Sequence, residues 1–347
     1  MTKSRPNNAV IAWLLTGCVL IAIMVVIGGI TRLTHSGLSI TEWEPIMGAV
    51  PPTSDTEWEE AFDKYKQIPE YEAKHYWMEL EDFKFIYFWE YIHRQWGRMM
   101  GVVFFIPFMY FVLRRKIRGR LLMQCVNIML WGGAVGALGW FMVASGLSER
   151  TDVSHYRLAI HLVAAFGLCL YIFWVALSLI YPDKNRLKEK LKPYRKWVIA
   201  LLIITFIQVI YGAFVAGLRA GFIHTTFPLM SGKLIPHDFM GLHGNTLDFV
   251  EHKTTVQFVH RVLAFVVFFV TLYLWNNLRR MNLSKSQHLA VHLVFIAICV
   301  QFLLGVLTII YAVPLTLGVL HQLGALLLLG AIVYLLHRLT YGNSQPS

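Results

Sequence analysis

The sequence predicts an all-α polytopic membrane protein: eight transmembrane helices forming two pseudo-symmetric four-helix bundles, with both termini in the cytoplasm. Three observations carry that prediction. The 347-residue chain is 56% hydrophobic and only 15% charged, whereas soluble domains carry about 25% charge. So few charges cannot cover a water-exposed surface, and the solvent must be lipid. Eight apolar stretches long enough to cross a bilayer recur along the chain. The second half also repeats short motifs of the first in the same order.

The spans read from the sequence are 9–30, 91–113, 121–147, 155–181, 197–218, 254–275, 289–312 and 315–337. The first has an apolar run too long for a signal-peptide core, and no small-residue cleavage site follows it. With no Ser- and Arg-rich transit segment before it, a bacterial plasma membrane is expected. Basic residues fall in alternate gaps: Lys3 and Arg5 in the first tail, the run 114–120, the segment 184–196, then Arg279, Arg280 and Lys285, and finally Arg338. Lys and Arg favour cytoplasmic loops, which places both termini inside. The net charge of +11 is thereby a topology signal whose partner is anionic lipid rather than nucleic acid. Cys18, Cys125, Cys169 and Cys299 all lie inside spans without metal-ligand spacing and read as small core residues.

Two loops on the opposite side are long: an acidic, aromatic one at about 31–90 and a His-, Gly- and Pro-rich one at about 219–253. The internal repeat organises the rest. Val26-Ile27-Gly28-Gly29 resembles Val209-Ile210-Tyr211-Gly212, and Glu90-Tyr91-Ile92-His93-Arg94 matches Gln257-Phe258-Val259-His260-Arg261. Leu138-Gly139 matches Leu304-Gly305, and His161-Leu162-Val163-Ala164-Ala165 matches His321-Gln322-Leu323-Gly324-Ala325. Four spans per half give both halves one orientation, related by an axis near the membrane normal. The expected division is 1–181 and 182–347.

His93, His161, His260 and His321 each fall a few residues into an even-numbered span, which puts all four within roughly 10 Å of the exterior edge. An ionisable side chain inside a span is a functional candidate, although one histidine near a helix end is ordinarily an interfacial hydrogen-bonder. Four at matching depth in two repeats point to metal ligands. With two histidines per half and no accompanying carboxylate or thiolate cluster, a haem held between facing helices fits better than a bare ion. The other histidines, including His35, His75, His224 and His252, read as surface polar residues, and His337 shows no partner. Glu90 precedes His93 by one helical turn, whereas Gln257 occupies the corresponding place before His260. A carboxylate can take a proton and an amide cannot, so one half has an acid/base group and the other does not. Arg32, Arg94, Arg157, Arg219 and Arg261 lie at the same level and are candidates for haem propionates, or for lipid head groups.

The segment Gly28-Gly29-Ile30-Thr31-Arg32-Leu33-Thr34-His35-Ser36-Gly37-Leu38-Ser39-Ile40-Thr41-Glu42-Trp43 resembles the signature of the haem A synthase family. So do Glu90-Tyr91-Ile92-His93-Arg94, the stretch from Gly139 to Leu147, Gly212 to Gly221, and Thr226-Phe227-Pro228-Leu229-Met230. The resemblance implies oxidation of a haem O methyl group to the formyl group of haem A, by two hydroxylations with water and loss of water. It implies haem O as substrate on His93 and His161, haem b as cofactor on His260 and His321, and Glu90 as the essential carboxylate. A haem O synthase, the cytochrome oxidase that consumes haem A, and an electron acceptor or donor are the implied partners; self-association stays open. The chain departs from the family in lacking an exterior cysteine pair and in having Val135 where many members have glutamine. The rival reading is a quinone-linked di-haem b electron-transfer protein, which needs the same histidines but gives Glu90 no role.

Overall fold

The computed structural model of the chain describes residues 8–42, 47–144, 152–182, 189–241 and 243–341. Among them are ten α-helices: α1 (Asn8–Leu33), α2 (Asp55–Tyr65), α3 (Leu80–Leu113), α4 (Gly119–Ala144), α5 (His155–Ile180), α6 (Lys192–Gly217), α7 (Asp248–Glu251), α8 (Lys253–Leu278), α9 (Lys285–Ile310) and α10 (Leu315–Thr340). All except α2 and α7 are long and apolar enough to cross a membrane, so this is an all-helical, multi-pass membrane protein. Lys3, Arg5, Trp43, Ser145, Gly146 and Leu147, and the basic segment 184–188, lie outside the described residues.

The largest departure from the sequence reading is the start of α3. The span was expected at residue 91, but the helix begins at Leu80. Asp82 Oδ2 accepts from the Glu79 backbone N–H at 3.2 Å, a helix-start bond, and Phe83, Ile86 and Glu90 fall on one buried face. Glu81, Asp82 and Lys84 on the other faces kept this stretch from reading as apolar. The expected loop before α3 contains α2, whose Ser54 side chain accepts from Glu57 N while Glu57 Oε2 accepts from Ser54 N. This reciprocal cap satisfies two orphan donors.

The chain divides into two compact units: residues 1–19 with 166–347, and residues 20–165. In the unit of 20–165 the apolar core is Leu38, Phe62, Tyr65, Ile68, Met78, Phe83 and Ile86, built by the segment between α1 and α3 on the first turns of α3. This places it at the end of α3 before His93. In the other unit the core runs from Leu191, Val198 and Leu201 of α6 through Val267, Leu274 and Leu278 of α8, Ala290 to Ile298 of α9, and Leu328 to Leu339 of α10. It fills the bundle beyond His260 and His321. Cys18 and Cys169 each point the thiol at the other's backbone carbonyl, at 3.6 and 3.9 Å, as small polarizable core residues do.

Candidate functional site

Each of the four histidines rests on a glycine of a neighbouring helix. A Cβ on Gly28 would come within 3.2 Å of His93 Nε2, and one on Gly139 within 3.1 Å of His161 Cε1. In the other unit the corresponding distances are 3.2 Å from Gly212 to His260 and 2.9 Å from Gly305 to His321. A Cβ at Gly305 would clash with its imidazole, and at the other three the ring would have to give by a few tenths of an ångström, so glycine lets the helix backbone approach the ring closely. The glycines belong to the matched repeat motifs, so one ring–glycine contact is built four times.

The His260 and His321 rings stand 6.5 Å apart, centroid to centroid, at 82°. A metal between them, about 2 Å from a nitrogen of each ring, would give about this separation. The residues therefore fit a haem held by two imidazoles. Gln208 Nε2 lies 3.4 Å from His260 Nε2, and Gln301 Nε2 lies 3.2 Å from His321 Nδ1 and 2.9 Å from the His321 carbonyl.

Glu90 is 2% exposed and fully engaged. Its Oε2 accepts from Ser39 Oγ at 2.7 Å and from Ile40 N at 2.8 Å. Its Oε1 accepts from Arg94 Nη2 at 2.7 Å and Nε at 3.1 Å. Arg94 also donates to the carbonyls of Ile40 and Glu42. A buried carboxylate with one guanidinium and two further donors is held in a single orientation. Gln257, wholly buried, donates instead to the His224 carbonyl at 2.9 Å. Arg261 binds the carbonyls of Thr226 and His224 at 2.7 and 2.5 Å.

Of the arginines at this level, Arg94 and Arg261 are thus committed to protein carbonyls. Arg157 donates to the Phe141 carbonyl at 2.7 Å and stacks over the Phe141 ring. Arg32 closes the last turn of α1, and Arg219 takes a left-handed conformation after α6.

His75, read as a surface residue, and His337, read as partnerless, are otherwise. His75 is buried and bonds Tyr65 at 2.5 Å. His224 Nδ1 bonds Ser231, and His252 Nδ1 bonds Thr255. Asp238 accepts from Thr254 Oγ1 at 2.5 Å, which holds its carboxyl below the usual range. His337 is wholly buried among Trp174, Tyr181 and Tyr341, with Ser178 Oγ 3.4 Å from its Nε2. Sequence reasoning also missed Glu70, where burial outweighs the Lys74 ammonium and pushes the carboxyl up to about 7. The one local signal for these residues was a polar side chain in an aromatic setting, as in Tyr71 to Trp77.

The family described as cytochrome oxidase assembly protein matches residues 11–333. The chain belongs to that family. Among curated relatives, it is 46% identical to a haem A synthase of Flavobacterium johnsoniae over 340 residues, 97% of this chain and 99% of the relative. It is 46% identical to the haem A synthase of Flavobacterium psychrophilum, over 96% of this chain and 99% of the relative. It is 43% identical to that of Nitrosospira multiformis, over 97% and 95% of the two chains.

Proposed function

We propose that the protein is a haem A synthase, oxidising a methyl group of haem O to the formyl group of haem A in support of cytochrome oxidase assembly. The observation that carries this reading is the contrast between Glu90 and Gln257 in two otherwise parallel histidine–arginine pockets. The full-length similarity to haem A synthases supports it. The substrate haem is held by His93 and His161 in the half of 1–181, and a haem b by His260 and His321 in the half of 182–347. The protein lies in a bacterial plasma membrane with its termini inside and its haem sites towards the exterior.

Conversion of the methyl to the formyl group consumes one water net and releases four protons and four electrons. Each hydroxylation forms a C–O bond from water as a methyl C–H bond breaks, releasing two protons and two electrons to an external acceptor. Glu90 takes up a proton from the water beside the methyl group, and Ser39, Ile40 N and Arg94 fix the carboxylate that receives it. The haem b supplies a redox centre for relaying electrons. Gln257 cannot take a proton, which suits a half that only carries electrons. Arg32, Arg94, Arg157, Arg219 and Arg261 are the candidate propionate partners in this scheme, with Arg94 and Arg261 also bracing the loops.

The reading is tested by chromatography of acid-extracted haems from protein purified out of a host that makes haem O. Haem A or its alcohol intermediate is expected alongside haem B. Haem B alone, with haem O unconverted, would instead favour a di-haem electron-transfer protein.

A further inference from the structure

The unit of 20–165 contains a second cluster of ligand-type side chains that the haem chemistry does not use. His35 follows α1, Glu70 lies between α2 and α3, and Asp152 leads into α5. One ring nitrogen of His35 and one carboxylate oxygen from each of Glu70 and Asp152 lie within 4.8 Å of one another. Glu70 is 3% exposed, and its Oε2 is buried with no hydrogen-bond partner. Its Oε1 lies 3.4 Å from Lys74 Nζ, which also donates to Asp152 Oδ1 at 2.6 Å. His35 takes a left-handed backbone conformation at φ +56°. A residue with a side chain stays in that region only where its surroundings fix it.

We propose that His35, Glu70 and Asp152 form a binding site for a divalent first-row transition-metal cation of the Zn²⁺ or Mn²⁺ kind. One imidazole and two carboxylates are ligands such ions accept. Tetrahedral bonds of about 2.0–2.2 Å set donors roughly 3.3–3.6 Å apart, so side chains whose donors now lie within 4.8 Å of one another close by at most about 1.5 Å. In the structure the Lys74 ammonium bridges the two carboxylates, offsetting one of their two charges, and leaves Glu70 Oε2 unbonded. A dication satisfies both carboxylates at once, and the lysine swings out on its flexible stem. The ion ties the turn after α1 to the loop before α3 and to the lead into α5. Ser39 and Ile40, which hold Glu90, lie four and five residues beyond His35. The binding claim does not depend on the haem reading.

The test is calorimetric titration of ZnCl₂, and separately MnCl₂, into the full-length detergent-solubilised protein after chelator treatment and dialysis. One ion per chain is expected. Glu70→Gln and His35→Ala each weaken binding about tenfold or more, while Asp238→Asn, in the separate His224–His252 cluster, leaves it unchanged. Lys74→Met removes the competing ammonium and tightens binding about tenfold, an outcome that misfolding cannot mimic. Failure of both the natural chain and Lys74→Met to bind one ion would overturn the proposal. So would an affinity indifferent to Glu70→Gln in a chain whose thermal melt is unchanged.

Discussion

In the Glu90 pocket, Arg94 one turn along α3 grips the carbonyls of Ile40 and Glu42; in the Gln257 pocket, Arg261 one turn along α8 grips those of His224 and Thr226. Both arginines anchor a loop by carbonyls two residues apart, and both stand beside a histidine seated on a glycine. The pockets differ in what surrounds that frame. Four residues before each seating glycine, the unit of His260 and His321 has Gln208 and Gln301, which contact the rings, whereas the other unit has Met24 and Val135. Gly324 leaves room for Gln301, since a Cβ there would strike its side-chain oxygen; the matching position after His161 is Ala164.

Packing differs in the same sense. The difference is confined to two helices: of the most apolar stretch, 11% is buried in α3 and in α4, against 33% in α1, 44% in α5 and 22–39% in α6, α8, α9 and α10. One pocket has polar tethers on its histidines and a filled bundle beyond them. The other has apolar neighbours, a thinly packed pair of helices and one rigidly held carboxylate. On the proposed reading, the first retains a cofactor and the second admits and releases a substrate.

Substitutions can break this comparison in order of expected effect. Glu90→Gln makes the first pocket resemble the second, and should lower haem A formation by about 10²–10⁴-fold while leaving haem B content unchanged, as read by haem chromatography. Ser39→Ala removes one hydrogen bond to a buried carboxylate, worth about 1.5–3 kcal/mol. Turnover should fall about ten- to a hundredfold, less than for Glu90→Gln. Gly305→Ala puts a methyl 2.9 Å from His321, and Gly212→Ala puts one 3.2 Å from His260. Overpacking costs about 1–3 kcal/mol, so both should lower haem B occupancy, Gly305→Ala more, in the pyridine haemochrome spectrum. The smallest change is Gln301→Ala, which deletes one neutral tether worth about 1 kcal/mol. It should shift the haem B midpoint potential with occupancy nearly intact, whereas Val135→Ala should leave that potential unmoved.

Run length and hydrophobicity made the eight long helices legible, because lipid demands about 20 apolar residues wherever a helix crosses. Charge hid the first three turns of α3, where Glu81, Asp82 and Lys84 face away from a buried stripe. The histidine–glycine contacts were visible only in part as repeated motifs: Gly139 and Gly305 stood out as matches, whereas the motif alignment set Gly29 rather than the seating Gly28 opposite Gly212, and the ring each glycine seats lies on a different helix. The Glu90/Gln257 contrast was readable because it is local, one turn before each histidine. The grip of Ser39 and Ile40 on Glu90 was not, since it joins residues about 50 apart in the chain. The burial of His75 and His337 likewise depends on partners that no local pattern announces.

The division of labour between the two histidine pairs is tested most directly by comparing acid-extracted haems from the natural chain, His93→Ala and His260→Ala, all expressed in a host that makes haem O. The account predicts that His93→Ala keeps its haem B but yields neither haem A nor its alcohol, and that His260→Ala loses haem B. Haem A formed by His93→Ala, or haem B lost from His93→Ala and kept by His260→Ala, would contradict it.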